Sequence, residues 1–211
     1  MDEQMFCFQC EQAAHCTACT GKAGVCGKSA DTAAAQDRLT GALISYASQL
    51  IGEGRAPAPE QALLLMEGLF TTITNVNFNN STIKAIKTEV EQEKHRISSE
   101  KFEDYSMPEI WDGNADIRSL KSLILFGIRG MAAYAYHALM LGLSDETVNN
   151  FFYKALSILG YDYEMNELLP IVLEVGEVNL RCMELLDKAN TTTYGTPVPT
   201  QTPFNGGNCD I

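Results

Sequence analysis

Five of the seven cysteines lie close together near the N-terminus, at Cys7, Cys10, Cys16, Cys19 and Cys26. Cysteine thiolates bind zinc and iron–sulfur clusters, and a cluster requires several thiolates that converge on one point. The N-terminus is acidic and lacks the basic segment and apolar core of a secretory signal. In a protein that is not exported, clustered cysteines are metal ligands more often than disulfide partners. The pattern therefore predicts a metal centre in this segment.

The spacing of these cysteines favours an iron–sulfur cluster. Cys7 and Cys10 form a Cys-x2-Cys pair, and Cys19 and Cys26 follow after gaps of eight and six residues. Residues 11–27 are rich in Gly and Ala, which let the backbone turn tightly around a cluster and direct its amides at sulfur. Lysines within and just after this segment would offset the negative charge of the cluster.

A structural zinc site is the alternative interpretation of the same cysteines. When Cys16 is included, residues 7–19 contain two Cys-x2-Cys knuckles. The five-residue spacer between the knuckles is shorter than zinc sites use, and Cys26 would remain outside the site. Reduced free thiols without a metal are a third interpretation. Away from the loop, Cys182 is predicted to be a small buried apolar residue and Cys209 an isolated thiol.

The rest of the chain must position this loop, and its apolar periodicity is helical almost throughout. Leu39, Leu43 and Leu50, for example, recur at the spacing of one helix face. The predicted helices cover about residues 30–51, 60–75, 81–102, 116–141, 145–159 and 165–188. No alternating pattern typical of a strand is present. The sequence predicts an all-α fold of two three-helix bundles with an N-terminal cysteine-rich cluster-binding loop.

These elements divide the sequence into five segments. They are a cysteine-rich iron–sulfur loop at 1–28, a first three-helix bundle at 29–104, a linker at 105–115, a second three-helix bundle at 116–189 and an irregular tail at 190–211. The linker contains Pro108 and Gly113, and the tail is rich in Pro and Gly, which do not continue a helix. Pro170 is compatible with the sixth helix only in its first turn.

Composition excludes several classes of function. The 211 residues are 45% hydrophobic and 20% charged, as in ordinary globular proteins. The net charge of −12 opposes binding to nucleic acid or to anionic lipid. No uninterrupted apolar run approaches the length of about 18 residues that a membrane span needs, so we expect a cytoplasmic protein. Neither a Gly-x-Ser-x-Gly nucleophile motif nor a phosphate-binding glycine loop is found.

The cysteine segment resembles the opening of the hybrid-cluster proteins, the hydroxylamine reductases of the prismane family. The resemblance begins with Met5-Phe-Cys-Phe-Gln-Cys-Glu-Gln, Cys19-Thr and Gly24-Val-Cys-Gly-Lys. It continues through Thr32-Ala-Ala-Ala-Gln-Asp, Gly68-Leu-Phe-Thr-Thr-Ile-Thr-Asn-Val-Asn-Phe, Asp116-Ile-Arg-Ser-Leu, Gly130-Met-Ala-Ala-Tyr-Ala-Tyr-His and Ala189-Asn-Thr-Thr-Thr-Tyr-Gly. These segments extend over nearly the whole chain. The cysteine loop and the last of these segments are the most specific.

The resemblance implies a cofactor and its ligands. Cys7, Cys10, Cys19 and Cys26 would bind a cubane [4Fe–4S] cluster at one end of a helical domain made of two three-helix bundles. The last cysteine gap is one residue longer than in cubane-bearing members, and Cys16 is an additional thiol. Members with longer spacings carry a [2Fe–2S] cluster, which is the alternative cofactor here, although the eight-residue gap favours the cubane.

The resemblance also implies that the catalytic machinery lies outside this chain. Family members are longer, and a His, two Glu and four Cys from two following α/β domains hold their catalytic hybrid cluster. No residue here matches those ligands, so no hybrid cluster is expected. The chain would transfer electrons from a reductase or a ferredoxin to those domains or to a separate catalytic chain, which would reduce hydroxylamine or nitric oxide. The alternative function is a non-catalytic helical scaffold or interaction domain with a structural zinc site.

Overall fold

The structure is a computed structural model that describes residues 5–10, 17–73, 76–98 and 103–199. Within these ranges it contains seven helices and no strand, so the predicted all-α fold is confirmed. The helices are α1 (Ala30–Gly52), α2 (Pro59–Thr71), α3 (Asn80–Ile97), α4 (Pro108–Trp111), α5 (Ala115–Met140), α6 (Glu146–Leu159) and α7 (Met165–Tyr194). The only β-type pairing among the described residues is an isolated antiparallel bridge between Cys7 and Cys19.

Helix α1 follows the cysteine loop directly and lies at the centre of the fold. Its N-cap is Ser29, whose side chain accepts a hydrogen bond from the amide of Thr32 at 3.2 Å. The predicted face of α1 is fully buried: Leu39, Leu43 and Leu50 each have 0% exposure. Helix α1 packs against α3 and α6 and also contacts α2, so it joins the N-terminal helices to the C-terminal ones.

The remaining helices share one continuous apolar core. Helix α5 packs against α2 and α7, and α6 contacts both α1 and α7. All seven helices contribute buried side chains to a single connected cluster. Because the contacts of α1 with α6 and of α2 with α5 run between the two predicted bundles, the division into two bundles at the predicted boundaries remains a prediction.

The helix bounds differ from the predictions mainly at the C-terminal ends. Helix α2 ends at Thr71 and α3 at Ile97, both earlier than their apolar periodicity indicated. Helix α7 continues to Tyr194, so residues 190–194, which we expected to be irregular, are helical. Helix α6 is capped by Asp145, which accepts a hydrogen bond from the amide of Val148 at 3.1 Å.

The expectation that Pro170 would occupy a first turn is wrong. Pro170 lies inside α7, beyond the first turn that begins at Met165. The missing amide removes one helical hydrogen bond, but α7 packs along α5 over much of its length. Gly127 of α5 permits a close approach, because a Cβ there would lie 2.5 Å from Cγ1 of Val175. Tertiary packing therefore maintains the helix through the proline.

The linker between the predicted bundles contains the short helix α4 and crosses α1 at very short range. The amide of Tyr105 donates to Ser45 Oγ at 2.8 Å and to the carbonyl oxygen of Gly41 at 3.3 Å. Ser45 Oγ in turn donates to the carbonyl oxygen of Glu103 at 3.0 Å. A Cβ on Gly41 would lie 2.1 Å from the Tyr105 carbonyl oxygen. Only glycine therefore allows this crossing.

One described helix, α5, is long and apolar enough to cross a membrane by length and composition alone. Its inward face is part of the core described above, where Ile124, Leu125 and Ile128 are fully buried. Helices at the core of a globular domain commonly meet the same criterion.

Candidate metal centre

Cys7 and Cys19 lie side by side in the cysteine loop. Their backbones exchange two hydrogen bonds, from the Cys7 amide to the Cys19 carbonyl at 3.1 Å and from the Cys19 amide to the Cys7 carbonyl at 2.9 Å. Both side chains are buried, at 7% exposure each, and they pack with Met5 and with Ala33 of α1. The bridge thus brings the two halves of the loop together against the start of α1.

Cys10 and Cys26, the other two predicted ligands, are partly exposed. Cys10 lies close enough to Cys7 for its charge to raise the pKa of the Cys7 thiol. Cys26 lies in a tight turn in which the Gly24 amide donates to the Lys28 carbonyl at 2.8 Å. A Cβ on Gly24 would lie 3.4 Å from Cys26 Sγ and 3.5 Å from Cε of Met5. Met5 therefore connects the Cys26 turn with the Cys7–Cys19 pair.

All four predicted ligands are free thiols. Among the residues that the structure describes, no group of three or more His, Cys, Asp or Glu side chains is arranged as a metal site. Cys16 lies outside the described residues. The ligand set Cys7, Cys10, Cys19 and Cys26 therefore remains a prediction. Burial raises the pKa of Cys7, while the positive charge of Lys28 opposes this effect, so a metal would displace a proton from this thiol on binding.

A buried polar network attaches the loop to α1. Lys28, which is 1% exposed, donates from Nζ to Gln9 Oε1 at 3.2 Å and to Gln36 Oε1 at 2.5 Å. Gln9 in turn donates from Nε2 to Asp37 Oδ1. Gln36 also donates to the carbonyl oxygen of Asn77, just before α3. Hydrogen bonds from Lys28 and Gln9 to side chains of α1 thus hold the cysteine loop in place relative to the helices.

The second buried cation of this region is Arg129 of α5, at 3% exposure. Its Nη2 atom donates to Thr40 Oγ1 at 2.9 Å, but Nε and Nη1 are buried without a hydrogen-bond partner among the described residues. Burial lowers the pKa of Arg129 to about 10, whereas the negative charges of Asp37, Cys7 and Cys10 act to raise it. Arg129 therefore stays charged at neutral pH and lies within electrostatic range of two predicted ligands.

Aromatic packing fixes the other side of the loop. The Phe8 ring lies 5.4 Å from the Trp111 ring of α4, measured between centroids. Phe8 separates the buried Cys7 from the buried Gln9 along the chain, so this contact holds the Cys-x2-Cys segment against the linker. Neither this contact nor the position of Arg129 near the cysteines is predicted by the sequence. The sequence does place Arg129 four positions after Leu125, and therefore on the apolar face of its predicted helix, which is unusual for a charged residue.

The donor set fits a thiolate-bound cluster. Thiolate sulfur is the ligand type that iron–sulfur clusters use. Two of the four thiols are buried, none is consumed in a disulfide, and an incompletely paired guanidinium lies within electrostatic range. Gly27 has a φ of 85°, which allows the chain to reverse direction immediately after Cys26. These features combine soft ligands, a tight turn and positive charge in one region.

The fold and the loop together define a class: an all-helical protein with a cysteine-rich N-terminal segment packed on its central helix. A family model described as Prismane/CO dehydrogenase family matches residues 5–210. The chain belongs to this family.

Individual relatives agree with that assignment. The chain is 37% identical to a hydroxylamine reductase of Maridesulfovibrio salexigens and 40% identical to one of Thermodesulfovibrio yellowstonii, in each case over 95% of this chain. A hydroxylamine reductase of Gloeothece citriformis is 35% identical over the same share. The chain spans only 42% of the length of these relatives.

Proposed function

We propose that this chain is the electron-transfer part of a hydroxylamine reductase-type protein and that it binds a [4Fe–4S] cluster through Cys7, Cys10, Cys19 and Cys26. The observation that supports this most directly is the reciprocal backbone pair of Cys7 and Cys19. It holds two free, buried thiols at adjacent positions, next to a third thiol two residues beyond Phe8 and a fourth in a glycine turn. A [2Fe–2S] cluster on the same thiols is the alternative cofactor.

Such a cluster supplies one-electron transfer when it is bound. The residues of this chain have three tasks towards it. The thiolates hold it, the loop amides and buried cations set how readily it accepts negative charge, and the packing of Met5 and Phe8 keeps water from part of the site. The chain holds no residues that match the catalytic cluster ligands of the family, so we assign it no chemistry on a nitrogenous substrate by itself.

The length of the relatives supports the proposal that further domains are the partners of this chain. The matched hydroxylamine reductases continue well beyond the region that this chain covers. We propose that electrons enter from a cytoplasmic reductase or ferredoxin and pass to the remaining α/β domains of the family, or to a separate catalytic chain. Hydroxylamine or nitric oxide would then be reduced in that other part.

Metal and sulfide analysis of the protein purified without oxygen tests the cofactor. We expect iron, acid-labile sulfide in similar amount and an EPR signal that appears on reduction. Zinc without sulfide would instead select the scaffold with a structural metal. Hydroxylamine turnover by this chain alone would contradict the proposed division of labour.

Single Cys→Ser variants test the ligand set. Replacement of Cys7, Cys10, Cys19 or Cys26 should release the cluster, because metal binding is coupled to the folding of the loop. Cys16→Ser should keep it. Cys182→Ser is the matched control, since Cys182 is a buried thiol on α7 whose Sγ donates to the Met131 carbonyl at 3.5 Å. Loss of iron from Cys16→Ser together with retention in Cys19→Ser would refute the assignment.

A further inference from the structure

Arg129 is buried in an arrangement that leaves part of its hydrogen-bonding capacity unused. The guanidinium group has five N–H donors. Among the described residues, Nη2 donates to Thr40, while Nε and Nη1 have no partner. A buried, charged group that lacks partners is strongly unfavourable. Arg129 is only 3% exposed, so its guanidinium group does not reach bulk solvent. In the described part of the chain, no group therefore satisfies Nε and Nη1 of this buried cation.

The described charged groups around Arg129 carry an excess of positive charge. Among the described residues, two buried cations, Arg129 and Lys28, lie near the carboxylate of Asp37, which already accepts a hydrogen bond from Gln9. The other described groups whose charge acts on Arg129 are the thiols of Cys7 and Cys10. Additional negative charge at the cysteines would therefore be stabilised by these buried cations.

We propose that Arg129 is the buried counter-charge of the cysteine centre, a positioning residue that favours an anionic iron–sulfur cluster there and makes its reduction easier. This inference rests on the proposed function. Four thiolates leave even the oxidised cubane with a net negative charge, and reduction adds one more electron to it. A fixed positive charge at short range in a poorly solvated site stabilises the reduced form more than the oxidised form. Arg129 therefore raises the reduction potential and slows cluster loss.

Substitutions of Arg129 separate its charge from its shape. Arg129→Met removes the charge and keeps an unbranched chain, Arg129→Gln removes the charge and keeps a donor for Thr40, and Arg129→Lys keeps the charge. The matched control is Lys121→Met on the same helix. Lys121 is also buried, but its Nζ atom is satisfied by the carbonyl oxygens of Leu159 and Tyr161 at 3.0 and 2.9 Å.

The first readout is the midpoint potential of each reconstituted variant, which is measured by EPR during a redox titration. We expect the one-electron reduction equilibrium to fall about tenfold in Arg129→Met and Arg129→Gln, which corresponds to about 59 mV. Arg129→Lys should retain most of the wild-type potential, and Lys121→Met should leave it unchanged. An unchanged potential in Arg129→Met and Arg129→Gln would overturn the inference.

The second readout is a comparison of cluster loss with stability of the metal-free protein. Removing Arg129 should speed the release of iron to a chelator about tenfold but leave the unfolding midpoint of the metal-free protein nearly unchanged or higher, because an incompletely paired cation is removed. Replacement of a merely structural residue would speed iron release and lower the unfolding midpoint together, as Lys121→Met should. Wild-type protein without iron and sulfide would refute the proposed function itself, whereas a wild-type cluster that is indifferent to Arg129 would refute only this inference.

Discussion

Replacing Gly41 by alanine perturbs the point at which the linker crosses the central helix. The added Cβ would lie 2.1 Å from the carbonyl oxygen of Tyr105 and 3.2 Å from its carbonyl carbon. Both contact atoms belong to the backbone, so no side-chain rotation relieves the overlap. Either α1 or the linker must therefore shift by about 1 Å, in a region where interiors are close-packed.

Two effects of Gly41→Ala lower the free energy of unfolding, and one effect raises it. Overpacking of a well-packed site costs about 1–3 kcal/mol. The shift also weakens the hydrogen bonds that join Tyr105 and Glu103 to Ser45, each of which contributes about 1 kcal/mol. Alanine has a better helix propensity than glycine by about 1 kcal/mol, which acts in the opposite direction. We expect a net loss of about 3 kcal/mol.

Thermal unfolding of the metal-free protein, followed by circular dichroism, measures this loss. For a chain of this size it corresponds to a decrease in the unfolding midpoint of about 6–12 °C. The matched control is Gly176→Ala on α7, where a Cβ meets nothing within 4 Å, and we expect this variant to be equally or more stable than wild type. A Gly41→Ala variant as stable as Gly176→Ala would refute the close crossing.

Three further perturbations test the packing and the charges. Burial alone would raise the pKa of Asp104, but hydrogen bonds from Lys87 and Lys94 lower it below its ordinary value. This group therefore stabilises the fold above its ordinary pKa of about 4, and the contribution is lost progressively as the pH falls from that value through the lowered pKa. Asp104→Asn should cost about 1 kcal/mol at pH 7 and less at pH 3, as measured by urea unfolding. Gly127→Ala should lower the unfolding midpoint, and Val175→Ala in the same chain should restore part of it, because the clash is with Val175 Cγ1 at 2.5 Å. Burial raises the pKa of Cys182 to about 11, so this thiol should resist iodoacetamide at pH 8 until the protein unfolds, as followed by mass spectrometry.

The parts of the fold that the sequence predicts well are those set by local periodicity. The buried face of α1 follows directly from the spacing of Leu39, Leu43 and Leu50. Helix ends were less accurate, because Thr71 and Ile97 end their helices where apolar periodicity continues. Continuation of α7 through Pro170 depends on contacts with α5, which no local pattern reveals.

The candidate site shows the same distinction. Cysteine spacing identifies the loop, because ligand type and gap length are properties of the sequence alone. Lys28 is recognisable as a nearby positive charge, but its burial depends on Gln9 and Gln36, from two separate segments. Arg129 lies far along the chain from the loop, and only the tertiary fold, in which its Nη2 atom donates to Thr40 of α1, places it near Cys7 and Cys10. Long-range electrostatic contacts of this kind leave no local signal.

The overall charge and the local charge of this protein act in opposite directions on a cluster in the loop. The net charge of −12 disfavours adding an electron, whereas Arg129 and Lys28 favour it. Surface charges are screened over about 8 Å at physiological ionic strength, while buried charges at short range are screened far less. The buried cations should therefore dominate the reduction potential.

Ionic strength distinguishes these two contributions. Raising the salt concentration from 0.05 to 0.5 M, two values that bracket a Debye length of about 10 Å, weakens the surface contribution and leaves the buried one nearly intact. We expect the midpoint potential to move much less over this range than it does on Arg129→Met. Because the surface charge is mostly acidic, the small change should be upward. A salt effect as large as the effect of that substitution would show that surface charge, and not the buried pair, controls the potential.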